Sequence, residues 1–167
     1  MAPDFVRRSR SIVSAGLAGL MMVGCDSSTG PQDLDAITLQ TTNTLIPIQN
    51  VDGARSATIS TKVTNNTSAT VSFISYCSPQ ILRLSGNEFT PIWSVDCSAI
   101  DGVASELKAG QSVSLAVTVS SRGSTSLPVF DFGGTGVAYR VSIRFYTQSS
   151  GYDVWKERQS NTFFFAQ

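Results

Sequence analysis

The sequence predicts an all-β domain, an antiparallel sandwich or barrel of about seven short strands. Three observations carry this. From about residue 36 onward apolar and polar residues alternate with period 2. Turn signals built on glycine and asparagine punctuate that alternation at short intervals. No window of helical length beyond the N-terminal segment sustains a 3.6-residue period.

Each element follows from its residues. In the run from Ala57, residues Ile59, Thr61 and Val63 face one way and Ser60, Lys62 and Thr64 the other, which is a half-buried strand. Asn65-Asn66-Thr67-Ser68 supplies a turn tolerant of positive φ. A strand over Thr70 to Tyr76 puts Val71 and Phe73 on one face and Ile74 and Tyr76 on the other. Ile81 to Leu84 and Phe89 to Trp93 read as shorter strands around Ser85-Gly86-Asn87. After the turn Leu107 to Gln111, Val113, Leu115, Val117 and Val119 form an apolar face. The loop Gly133 to Gly136 leads into the clearest alternation of the chain. There Val137, Tyr139, Val141, Ile143 and Phe145 oppose Ala138, Arg140, Ser142, Arg144 and Tyr146. Gln148-Ser149-Ser150-Gly151 opens a polar loop, and a last strand over Thr162 to Ala166 turns Phe163 and Phe165 inward.

The N-terminus has a different logic. Arg7, Arg8 and Arg10 precede an uncharged run from Ile12 to Val23, too short to cross a bilayer as a helix, and Gly24-Cys25 follows. This resembles the lipobox of bacterial lipoproteins, which implies attachment of a diacylglyceryl group to the Cys25 thiol and cleavage before that residue. The expected organisation is a signal peptide over 1–24, a lipidated Cys25 with a flexible tether over 25–35, and a β domain over 36–167. The tether carries one large apolar residue, too little to offset the entropy of ordering it. The expected location is the bacterial cell envelope, with the protein held by its N-terminal lipid, the outer membrane or periplasmic face being favoured and the inner membrane the alternative.

Cys77 and Cys97 then remain as a pair in an oxidising compartment, and a disulfide is expected between them. Of twelve Lys/Arg and twelve Asp/Glu, three arginines and Asp4 fall in the signal, leaving nine basic against eleven acidic residues. Nothing in that balance suggests a nucleic-acid or polybasic lipid surface, and no nucleic-acid partner is expected. The chain has no histidine, hence neither the commonest general base nor the commonest metal ligand. No catalytic residue, metal or cofactor is expected. Asp131-Phe132-Gly133 copies a kinase triplet without the rest of a kinase site, and Gly133 to Gly136 lacks the helix a phosphate loop needs. Asp96 and Asp101-Gly102 lack EF-hand spacing. Arg140 and Arg144 share a face with Tyr146 and read as a solvent-facing stripe. Tyr152 and Trp155, on the polar loop, are the candidate binding residues, since exposed aromatics anchor partners.

Asn65-Asn66-Thr67, Gly86 and Trp93, Leu107 to Ser112, Gly136 to Val141 and Ser160 to Phe163 occur in the order seen in a known group. Together they resemble the bacterial Ig-like domains of envelope lipoproteins, distantly similar to the BsuPI-type proteinase-inhibitor domain, over about residues 57 to 166. The resemblance implies an Ig-like antiparallel β-sandwich serving as a non-catalytic binding or structural module for an envelope or extracellular protein partner. Proteinase inhibition is the alternative it implies.

Overall fold

Residues 33–95, 104–124, 127–149 and 152–166 are described by the computed structural model, and nearly all their regular structure is extended. A single turn of 3-10 helix (Leu34–Ala36) opens the domain. The strands are β1 (Ile37–Thr41), β2 (Leu45–Pro47), β3 (Gln49–Val51), β4 (Ala54–Asn65), β5 (Val71–Phe73), β6 (Gln80–Ser85), β7 (Glu88–Ser94), β8 (Ser105–Leu107), β9 (Ser112–Ser120), β10 (Tyr139–Ser149), β11 (Tyr152–Gln159) and β12 (Phe164–Ala166).

In the two main sheets the short strands stack end to end into seven columns; the sequence reading reached β4, β5, β6, β7, β9, β10 and β12 but not β1, β3 or β11. In the smaller sheet β9 runs along one edge of β4, from Ser56↔Ser120 to Thr64↔Ser112. β1 and β3 share the opposite edge, pairing with the two ends of β4. In the larger sheet β10 is central. β11 lines one edge of it; β6 and β5 share the other, with β7 outside β6 and β8 outside β5. The chain crosses from β4 to β5 and back from β8 to β9, then over again to β10. The resulting orders, β1-β4-β9 and β7-β6-β10-β11, are those of a two-sheet antiparallel sandwich with crossovers between the sheets.

Alternation translates directly into burial. Ile59, Thr61 and Val63 of β4 and Tyr139, Val141, Ile143 and Phe145 of β10 are fully buried between the sheets. Two elements add to the core what alternation does not announce. Phe130 and Phe132, on an irregular segment, join Tyr139, Phe163 and Phe165 in an aromatic cluster, with neighbouring ring centres 4.9 Å apart for Phe130–Phe132 and 5.1 Å for Tyr139–Phe165. β2 and β12 pair in parallel, Ile46↔Phe165, and tie the edge of one sheet to the edge of the other with both side chains buried.

Tyr139 explains the Asp131-Phe132-Gly133 triplet. Its buried hydroxyl donates to the Phe132 carbonyl at 2.7 Å, a hydrogen bond back across the corner like that of the tyrosine corner in such sandwiches. Gly133 sits at φ +60°, where a Cβ would lie 2.8 Å from that hydroxyl. Asp131 accepts from the Gly133 N–H at 2.9 Å and pairs with Arg83 at 3.1 Å. The triplet is a corner, held by its own side chains.

Three expectations are corrected. The strand expected over Thr70 to Tyr76 stops at Phe73, because residues 74–78 fold into a turn closed by the Ser78 N–H to the Ile74 carbonyl at 2.8 Å. The folded domain begins before residue 36: Leu34, the one large apolar residue assigned to the tether, is buried, and Asp35 pairs with Lys156 and Arg158. The polar loop expected to carry Tyr152 and Trp155 is instead strand β11, in register with β10 from Ser142↔Gln159 to Ser149↔Tyr152. It reads as polar because Lys156, Glu157 and Arg158 stud an edge strand with charge, a device that discourages pairing with other chains.

Candidate functional site

The outer face of the larger sheet carries the site. Burying the odd-numbered residues of β10 forces Arg140, Ser142, Arg144 and Tyr146 outward. The pairing register then selects their neighbours. Ser142 lies between Gln80 of β6 and Gln159 of β11, Arg144 lies opposite Glu157, and Tyr146 lies opposite Trp155. Arg144 Nη2 donates to Glu157 Oε1 at 2.8 Å, and its guanidinium carbon stands 4.3 Å from the Trp155 ring centre. Donation to Glu157, more than any other influence, holds the Arg144 guanidinium above its ordinary pKa. Arg140 is placed similarly, 4.1 Å over the Phe89 ring and bonded to Gln159 at 3.2 Å. The two arginines are therefore not a loose solvated stripe. Each is stacked and bonded in place.

Beside Arg144 lies a depression of about 230 Å³, lined by Ile74, Cys77, Ser78, Gln80, Ser142, Arg144, Tyr146 and Glu157. Ser142 is only 1% exposed, yet its hydroxyl finds no hydrogen-bond partner among the described residues, and neither does the buried Nε of Arg144. Leaving such a group unpaired costs about 1–3 kcal/mol, and both atoms, like the Thr61 hydroxyl in the core, lie beneath the surface rather than on it. On the far side of Tyr146 a second depression of about 500 Å³ continues the surface past Ser72 and Glu106.

The expected site residues distribute as follows. Trp155 borders this face and is 55% exposed; Tyr152 pairs with Ser149 at the far end of β11, so the two do not share a loop. Cys77 touches the rim of the depression. Cys97 and Cys25 lie outside the described residues, as do residues 1–32, Asp96 and Asp101-Gly102. Ser142 was passed over in the sequence because a serine between two polar neighbours on a strand carries no distinguishing mark. Its small size among long side chains was the one available signal.

Among the described residues no group of three or more His, Cys, Asp or Glu side chains could hold a metal, and no helix is long and apolar enough to cross a membrane. The chain matches no family model, no curated protein and no solved structure.

Proposed function

We propose that the chain is a lipid-anchored protein of a bacterial cell envelope whose sandwich is a non-catalytic binding module. Its binding surface is the outer face of the larger sheet. The observation that carries the reading is a depression of about 230 Å³ on that face, lined by Gln80, Arg144, Tyr146 and Glu157 and neighboured by the exposed Trp155, which stacks on Arg144. The groups there, an arginine matched by a glutamate with a serine and a glutamine, recognise polar atoms but include no base or nucleophile activated for chemistry. The anchor rests on the arginine-rich start, the short apolar run and Cys25, and residues 26–32 form the tether.

A Cys77–Cys97 disulfide belongs to the same reading. The β6–β7 pairing Gln80↔Ser94 has one cysteine three residues before Gln80 and the other three residues after Ser94. Equal spacing from an antiparallel pair supports their meeting across the hairpin's open end.

Two experiments test the proposal. Cys25→Ser should release the protein from membranes and remove acyl mass from its N-terminal peptide; unchanged partitioning overturns the anchor. Crosslinking of the anchored protein in its own envelope should capture a binding partner less efficiently once Trp155 is changed to Ala. Equal capture by both forms overturns the binding face.

A further inference from the structure

Separately from that face, we propose that β9 is a pairing edge whose occupant is the β9 of a second copy of this chain. The phase of its ladder with β4 is fixed at both ends, by the Ser121 N–H to the Arg55 carbonyl at 2.8 Å and the Asn65 N–H to the Gln111 carbonyl at 2.9 Å. Odd-numbered residues of β9 therefore bond to β4, and Ser112, Ser114, Ala116 and Thr118 turn their N–H and C=O groups outward. Those four residues are exposed, and no strand among the described residues pairs with that side. The chain returns to this edge at Ser120, whose carbonyl accepts from the Phe130 N–H at 2.7 Å.

A long unguarded edge invites association, and the other edges of the two main sheets are guarded. β3 and β8 have 3 residues each. β7 carries Pro91 and lies against a bulge at Ile81/Leu82. β11 is clad in charge. Side chains occupy the outer groups of β1: Arg158 donates to the Ile37 carbonyl at 3.1 Å, and the Thr41 N–H donates to Asn161 at 2.7 Å. β9 runs for 9 residues in unbroken register with β4 and carries no charge and no proline. Its sequence describes the occupant. From Ser112 to Ser120 the order Ser-Val-Ser-Leu-Ala-Val-Thr-Val-Ser reads nearly alike in both directions about Ala116. A two-fold axis at Ala116 sets two such strands antiparallel, with Ala116 opposite Ala116, Ser114 opposite Thr118 and Leu115 opposite Val117, so like meets like. The even-numbered pairs exchange both N–H···O bonds, and the half-buried Val113 and Leu115 gain apolar cover from Val119 and Val117 of the second copy. The two smaller sheets then continue as one.

The test uses the full chain, in intact cells and in detergent. Ala116→Cys sets two thiols across the axis on Cα atoms about 5.5 Å apart, within disulfide range, so mild oxidation of cells should give a linked dimer on non-reducing gels. Ser60→Cys is the control. It is exposed on the same face, opposite Ala116 and one strand further in, so its two copies stand about 14 Å apart and should stay unlinked. In density-matched detergent, sedimentation equilibrium should show a dimer for the parent. Dimerisation should weaken about tenfold or more in Ala116→Lys and in Ala116→Glu, where like charges meet on the axis, and mixing these two variants should restore a dimer with one chain of each. Ala116 is exposed and its backbone groups point away from β4, so each variant should keep the far-UV circular dichroism of the parent. A monomeric parent, a dimer untouched by either charge, a mixture that stays monomeric, or linkage of Ser60→Cys as ready as that of Ala116→Cys overturns the proposal. Linkage of Ala116→Cys to a different envelope protein in place of a second copy also overturns it, and makes β9 a docking edge for another chain.

Discussion

Replacing Gly133 with alanine would bring a methyl carbon to 2.8 Å from the Tyr139 hydroxyl, with the backbone held at φ +60°. The left-handed conformation alone costs alanine about 1 kcal/mol. The overlap cannot be relieved by a side-chain swing, because Tyr139 is fully buried and its ring packs against Phe130, Phe163 and Phe165. Either the loop moves or the hydroxyl leaves the Phe132 carbonyl, and losing that buried bond costs about 1–3 kcal/mol more. The sum, about 2–4 kcal/mol, corresponds to a fall of roughly 7–15 °C in melting temperature for a folded unit of roughly 130 residues. Tyr139→Phe alone should cost about 1–2 kcal/mol. The decisive measurement is the double substitution. Phenylalanine lacks the oxygen that the new methyl meets, so urea and thermal melts of the four proteins should show the pair costing at least about 1 kcal/mol less than the sum of the singles. Distant sites add to within about 0.3–0.5 kcal/mol. An additive cycle, or a Gly133→Ala protein that melts within about 2 °C of the parent, would refute the corner as described.

Asn65 is fully buried and bonded four ways through its side chain, to the carbonyls of Ala69 and Leu107 and to the N–H and hydroxyl of Thr67. Asn65→Ala should therefore cost about 3–5 kcal/mol in denaturant melts, and a loss under about 1 kcal/mol would contradict its role as a hub. The Gly133 N–H, then Arg83, hold the Asp131 carboxyl below the ordinary range, and the Lys156 hydrogen bond, with Arg158 beside it, does the same for Asp35. Because the folded pKa is the lower one, their stabilisation is complete above the unfolded value and is lost as pH falls through the folded values. Melting temperature should thus drop on acidification below about pH 4, less steeply in Asp131→Asn, and an identical acid limb in that variant rejects the assignment. Dithiothreitol should lower the stability of the parent by about 3 kcal/mol and leave a Cys77→Ser, Cys97→Ser double variant unmoved; equal responses would rule out the disulfide.

How much could be read beforehand differs by element. The faces of β4, β9 and β10 were legible because one side of each strand meets the core, and a period of two records which side. β11 was not legible, since an edge strand clad in charge shows no apolar face to count. Asp52-Gly53, a hairpin turn with φ of 50° and 74° joining β3 to β4, did carry a sequence signal of its own, the Asp-Gly pair. Phe130 and Phe132 did not. They are held by packing and by the Phe130 N–H to the Ser120 carbonyl at 2.7 Å, outside any repeating element.

By itself the sequence determined what depends on neighbours along the chain: an all-β domain, the inward residues of its main strands, the turns that join them, and the N-terminal pattern expected of a lipid anchor. Only the tertiary structure decided what depends on which strands meet. The register of β10 against β6 and β11 sets Ser142 between two glutamines, Arg144 against Glu157 and Tyr146 against Trp155. These partners stand nine or more residues away along the chain, on both sides. Local alternation states which way a side chain points; it does not state what stands beside it, and the candidate site is made of those lateral neighbours.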